Sequence, residues 1–331
     1  MFLRVMEKNV DKSTNSGYMP ITKILSKAVD QICKVSANKD GVSGIPTGYH
    51  KLDDITSGFQ NGELITIAGR PAIGKTSFAL SIAKNVAVDY KIPTLFFSLE
   101  MNATTVVNRL ISNVCEITSS KIVSGQLRPE EWDRFNKRID LLEGSPLYFD
   151  DTPGLNFEGI SDRIKKCVED NGIKLVLIDY FQLIATPYRS NRTRHDELAE
   201  IMHNLKILAR ELDIPIIILS QLNRGVEDRD YDLSSKRPQL RDLRECGVIE
   251  EDSDIVLFVH RPEYYHIYQD DNGRDLRGMA QIIIAKHRMG STGDVQLTFR
   301  GEYVRFENPE LSSIHPSSQG EIERGGTPLP F

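Results

Sequence analysis

One run of residues carries the strongest chemical signal in the chain. Gly69-Arg70-Pro71-Ala72-Ile73-Gly74-Lys75-Thr76, with Ser77 next, matches G-x-x-x-x-G-K-[ST] at every fixed position. Glycines in such a loop let backbone N–H groups turn inward around phosphate oxygens, and a following helix start adds positive partial charge. Lys75 can then reach the β- and γ-phosphates of a nucleotide such as ATP, and the Thr76 hydroxyl can ligate Mg²⁺. The plain alternative is a Gly/Pro turn that happens to contain Lys-Thr. The flanks favour the chemical reading. Leu64 to Ala68 is an apolar, β-branched run suited to a buried strand, and Phe78 to Lys84 is good helix material.

Further carboxylates and amides end apolar runs. Lys174-Leu-Val-Leu-Ile-Asp179 is the Walker B pattern, in which a buried strand delivers a carboxylate beside the phosphate loop to hold Mg²⁺ through water. Taken alone it could be an aspartate that merely ends a strand. Pro93 to Ser98 reads as a strand running into Leu99-Glu100, and Ile214 to Leu219 as another running into Ser220-Gln221. Strands alternating with helices predict a parallel, doubly covered sheet. Functional residues of such sheets gather at the carboxyl ends of the strands. The loop from Gly69 to Thr76, Glu100, Asp179 and Gln221 are therefore expected along one edge.

The positioning elements follow in order. Residues 1–19 read as a flexible arm. Ile21, Ile24, Leu25, Ala28, Val29 and Ile32 recur at helical spacing and form one apolar stripe. It could pack on its own domain or dock on a neighbouring subunit. Residues 20–43 are read as this linker helix and a linker, 44–307 as the main domain, and 308–331, rich in Pro, Ser and Gly, as a disordered tail. Gly44 to Gly48 reads as a turn, and Tyr49 to Asp53 as the approach to the first strand. Asn102 is placed to cap a helix through about Ile117, and Pro129 to begin another. A helix is expected before Lys174 and another from Arg194 to Leu212. Asn223 to Pro238 is charged and lacks apolar periodicity, as a mobile loop would. A strand at Asp254 to Val259 precedes a β-rich C-terminal group over Met279–Lys286, Val295–Arg300 and Tyr303–Phe306.

Composition bounds the partners. The chain has 331 residues, is 40% hydrophobic and carries a net charge of −6, so any contact with nucleic acid must be local. Cys33, Cys115, Cys167 and Cys246 are scattered, forming neither a disulfide framework nor a zinc motif, and reduced cytoplasmic thiols are the simple reading. No apolar run approaches the ~18 residues of a membrane span, and the first residues lack the apolar core of a signal peptide.

Several segments together resemble the C-terminal ATPase domain of DnaB-type replicative helicases, which has a RecA-like core. They are Gly44-Ile-Pro-Thr-Gly, the phosphate loop, Ser98-Leu-Glu-Met, Ile178-Asp-Tyr-Phe-Gln-Leu-Ile, Leu219-Ser-Gln-Leu-Asn-Arg, Leu240-Arg-Asp-Leu-Arg-Glu-Cys-Gly-Val-Ile-Glu and Ile284-Ala-Lys-His-Arg-Met-Gly. The resemblance covers residues 20–307. It implies a RecA-like P-loop NTPase: a largely parallel twisted sheet, helices on both faces and a β-rich C-terminal extension. It also implies roles. Glu100 would polarise the attacking water, Asp179 would hold Mg²⁺, Gln221 would sense the γ-phosphate, and Arg109 would lie near the phosphates. Lys286 and Arg288, two apart on a strand and so on one side of it, would reach ATP held by the next subunit of a hexamer. Single-stranded DNA would meet Arg244, Glu245 and Gly247, with Cys246 where the family usually has Ser.

In this chain six cations are balanced by six anions from Arg224 to Glu245, so DNA binding would rest on a few backbone-directed contacts repeated around a ring. Only about twenty residues precede the linker helix, too few for the helical N-terminal domain that commonly braces the ring and recruits primase. Primase or loader binding is open on that account. The activity expected is 5′ to 3′ translocation and unwinding driven by ATP. The competing expectations are a RecA-like recombinase or signalling ATPase that binds ATP without unwinding, and a non-enzymatic regulator that keeps the fold.

Overall fold

The computed structural model describes residues 20–37, 41–186, 193–227, 229, 233, 235–243 and 246–309. The expected arm (1–19), nearly all of the expected tail (310–331), Arg244 and Glu245 lie outside the described residues. The chain divides into a unit ending at Ser43 and a unit beginning at Gly44.

The first unit contains helix α1 (Ile21–Ala37), on which Ile21, Ile24, Leu25, Val29 and Ile32 are exposed. The second unit runs α2 (His50–Thr56), β1 (Leu64–Gly69), α3 (Lys75–Lys84), β2 (Thr94–Ser98), α4 (Ala103–Cys115), α5 (Ser119–Ser124), α6 (Pro129–Glu143) and β3 (Leu147–Asp150). It continues with α7 (Phe157–Asn171), β4 (Leu175–Asp179), α8 (Arg194–Leu212), β5 (Ile216–Gln221), α9 (Cys246–Asp252), β6 (Ile255–His260), β7 (Met279–His287), β8 (Gly293–Arg300) and β9 (Arg305–Glu307). None of the described helices is long and apolar enough to cross a membrane.

The strands form one sheet in the order β3-β2-β4-β5-β1-β6-β7-β8-β9. Pairing is parallel from β3 through β6 and antiparallel from β6 through β9. The C-terminal strands thus prolong the main sheet. Alternation along each strand divides the core in two. Ile65 and Ile67 of β1 pack with Phe78 of α3 and Val106 and Leu110 of α4, while Leu64 and Ala68 face Ile160 and Ile164 of α7 and Leu205 of α8. β1 and β5 are buried over their apolar residues because both faces are covered, which is why they read as continuous apolar runs.

Two local expectations change. Tyr49 to Asp53 does not lead into the strand. Tyr49 precedes α2, and Asp53 turns back to accept from the Thr47 N–H at 2.8 Å and the Gly48 N–H at 3.2 Å. The expected β-group at Tyr303 to Phe306 begins only at Arg305, because Gly301–Tyr303 forms a 3-10 turn.

Candidate active site

β1 delivers the phosphate loop and α3 begins at Lys75, so the strand-loop-helix order is met. Two glycines are dictated by space and backbone. A Cβ at Gly69 would stand 2.8 Å from Ile73 Cγ2 and 3.2 Å from the Val259 carbonyl oxygen. Gly74 has φ 111° and its Cβ would meet the Phe306 ring at 3.3 Å. Lys75 is buried, and its Nζ donates to the Arg70 carbonyl at 2.9 Å. Burial pulls its pKa down to about 8, with Asp179 and Glu100 opposing. Thr76 Oγ1 donates to Asp179 Oδ2 at 2.7 Å. Burial pushes Asp179 up to about 6 against that hydrogen bond, and the nearby Glu100 charge adds to the rise.

The parallel register brings the strand ends together. Gly69 lies beside Gln221, and Ser98 beside Asp179. A cavity of about 670 Å³ is lined by Lys75, Thr76, Glu100, Arg109, Asp179 and Gln221, among others. Its size suits a nucleotide. The donor set suits Mg²⁺: a hydroxyl and a carboxylate oxygen stand side by side. No group of three or more His, Cys, Asp or Glu side chains could cage a metal among the described residues. Mg²⁺ favours such sparse sites, completed by water and phosphate.

Not every loop side chain points there. Pro71, Ala72, Gly74 and Ser77 line the cavity, but the Ile73 side chain is in the core and the Arg70 guanidinium turns away to Glu227 and the Leu222 carbonyl. Gly69, Arg70 and Ile73 can therefore serve a nucleotide only through their backbone. Residues the sequence did not single out also line the cavity. Thr105 and Asn108 come from α4, Ser119 and Val123 from α5, Phe299 from β8 and Val304 from the turn after it. Their spacing carries no motif, and the sheet order alone brings the last two alongside the loop.

Lys286 and Arg288 lie elsewhere. Ile255 at the start of β6 pairs with Ile65 of β1 and with His287 of β7, and Val256 pairs with Lys286. Val256 also pairs with Thr66, so Lys286 is level with the third residue of β1, and Arg288, whose N–H donates to the Asp254 carbonyl, is beside its start, whereas the phosphate loop leaves where β1 ends. Along the strand direction that is about 10 Å from Gly69 for Lys286 and about 17 Å for Arg288. β7 stops at His287, so Arg288 stands one residue past the strand, though its N–H still donates to the Asp254 carbonyl at 2.8 Å. Lys286 Nζ donates to the Glu250 carbonyl, and Arg288 Nη1 is 3.4 Å from Asp254 Oδ1. Gly247 lies on α9 and is exposed, with nothing within 4 Å of an added Cβ, so its own fold does not require glycine there.

The model of the DnaB-like helicase C-terminal domain matches residues 44–308. The chain belongs to this family. It is 43% identical to the replicative DNA helicase DnaB of Buchnera aphidicola subsp. Baizongia pistaciae over 92% of this chain and 64% of that one. It is 40% identical to the replicative DNA helicase DnaC of Bacillus subtilis over 92% of this chain and 65% of that one. The chain thus spans just under two thirds of the length of these relatives. Among solved structures, an isolated ATPase domain superposes with a TM-score of 0.79 at 35% identity, covering 88% of this chain and all of that one. A DnaB-like replicative helicase studied with primase gives a TM-score of 0.76 at 35% identity, covering 91% and 69%. DnaB-like ATPase domains thus share this mostly parallel α/β sheet, and the family hydrolyses nucleotides.

Proposed function

We propose that this chain is the ATP-driven motor of a ring-forming replicative DNA helicase that moves 5′ to 3′ on single-stranded DNA. One observation supports the ring most directly: Lys286 Nζ and Arg288 Nη1 are held at the Glu250 carbonyl and near Asp254, towards the end of the sheet where β1 begins rather than at the phosphate loop of their own chain. Cations so placed suit phosphate chemistry in an adjoining copy, and a hexamer would close that arrangement without a free end.

In this reading the Gly69–Ser77 loop cradles ATP, Lys75 faces the β- and γ-phosphates, and Arg109 approaches from α4. Mg²⁺, when bound by Thr76 and, through water, by Asp179, neutralises phosphate charge. Glu100 aligns the attacking water and takes its proton. Gln221, at the end of the strand next to β1, reports the γ-phosphate to the segment that follows it. Lys286 and Arg288 of the neighbour neutralise charge on the transferred group. Arg244, Glu245 and Gly247 face DNA in the channel. Residues 44–307 form the motor, and α1 offers its apolar stripe to the adjacent subunit. Free thiols at Cys33, Cys115 and Cys167 suit the cytoplasm. A primase or loader is the partner class supported by the related helicase studied with primase.

Forked-DNA unwinding tests this reading. We expect strand separation that requires ATP and Mg²⁺ and is lost in Lys75→Ala. ATP turnover with filaments and no strand separation would favour a recombinase-like ATPase instead.

A further inference from the structure

Arg70 joins the phosphate loop to the segment that leaves the sheet beside it. Its side chain is 7% exposed. Nε and Nη2 reach Glu227 Oε1 at 2.8 and 2.7 Å, and Nη1 donates to the Leu222 carbonyl at 2.8 Å. The Arg70 carbonyl meanwhile accepts from Lys75 Nζ at 2.9 Å. One residue therefore holds the phosphate-facing ammonium by its backbone and the chain after Gln221 by its side chain.

The described residues of that chain brace one another. Leu222 pairs with Leu243 across its base, and the Asn223 N–H donates to the Asp242 carbonyl at 2.8 Å. Within it, Lys236 Nζ donates to the carbonyls of Glu227 at 2.7 Å and Arg229 at 2.6 Å, and Arg229 pairs with Asp242. Lys236 is 1% exposed, so these bonds are shielded from water. Glu227 is the joint: its carboxylate takes Arg70 and its carbonyl takes Lys236. Glu227 is itself 41% exposed, so the pair contributes modestly to stability, but it ties a buried guanidinium, also held by the Leu222 carbonyl, to one position.

We propose that Arg70 is a positioning residue that, through Glu227 and Leu222, couples the phosphate loop to Asp242 and Leu243, so that single-stranded DNA bound next to Leu243 alters hydrolysis. The inference rests on the helicase reading above. When Lys75 exchanges the Arg70 carbonyl for a phosphate oxygen, the backbone at Arg70 is released and the guanidinium carries the change to Leu222 and Glu227. The coupling is reciprocal, so nucleotide state alters DNA affinity by the same route.

The test uses the full chain with Glu227→Gln and, as a shorter carboxylate, Glu227→Asp. ATP turnover is measured with and without an oligo-dT strand, alongside DNA affinity in ADP and in a non-hydrolysable ATP analogue. We expect Glu227→Gln to keep basal turnover within about twofold and to lose about fivefold of the DNA stimulation. The nucleotide-dependent difference in DNA affinity should shrink in parallel, and Glu227→Asp should recover part of both. Wild-type stimulation in Glu227→Gln overturns the inference and leaves the helicase reading intact. A wild-type chain that DNA does not stimulate overturns both. Equal loss of basal and stimulated turnover at unchanged melting temperature also overturns it, because Glu227 would then belong to the hydrolytic site.

Discussion

Burial acts in opposite senses on the charges of the cleft, pulling Lys75 to about 8 and pushing Asp179 to about 6. A bound triphosphate and cation would neutralise both. The loop could be read in advance because its chemistry fixes residue types at fixed spacing. Phe299 and Val304 could not, since nothing local marks them as cleft residues. His260 shows what else a sequence hides. It is 1% exposed, stacks on Tyr265 at 5.6 Å between ring centroids, and neither ring nitrogen has a hydrogen-bond partner. Burial and the nearby Arg237 hold it neutral, with a pKa of about 4. Below an unfolded-state pKa near 6.5 the unfolded chain binds the proton and the folded chain does not. Stability is therefore full above pH 6.5 and falls as pH drops toward 4, by up to about 3 kcal/mol. His260→Phe should flatten that limb in urea melts taken at several pH values. An unchanged limb would assign it to other groups.

Elements with strong periodicity or caps came out as the sequence implied. α8 spans Arg194–Leu212, and Asn102 caps α4 by accepting from the Thr105 N–H at 2.8 Å. α2, α5 and α9 gave little warning. They are short, with α5 built from Ser and β-branched residues and α9 holding a glycine in its first turn, so tertiary contacts decide them. The C-terminal strands were visible as β-rich, but not their addition to the main sheet, because edge pairing is a long-range event. That addition has a consequence for the loop. Phe306 of β9 packs on Phe78 at 5.3 Å and on Phe299 at 4.7 Å, and a Cβ at Gly74 would touch its ring. Phe306→Ala should lower stability by about 3–5 kcal/mol and weaken nucleotide binding, measured by denaturation and by a fluorescent ATP analogue. Loss of stability with unaltered nucleotide affinity would separate β9 from the loop.

At the scale of the molecule, the proposed shared site would draw on two separate regions of the sheet. The loop lies where β1 ends, Lys286 is level with Thr66 in the middle of β1, and Arg288 is beside its start. Motif reading named Lys286 but could not place it relative to β1, because that depends on the antiparallel pairing of β6 with β7. Turnover should therefore belong to interfaces between copies. Lys75→Ala removes the cradle's cation and keeps the neighbour-directed pair, while Arg288→Ala does the reverse. The most direct measurement is DNA-stimulated ATP turnover by each variant alone and by mixtures of the two across a range of ratios. Each alone should be inactive, and mixtures should regain turnover at interfaces that join an intact cradle to an intact Arg288. No recovery at any ratio, or an isolated protomer that hydrolyses ATP at the full rate, would contradict a shared site.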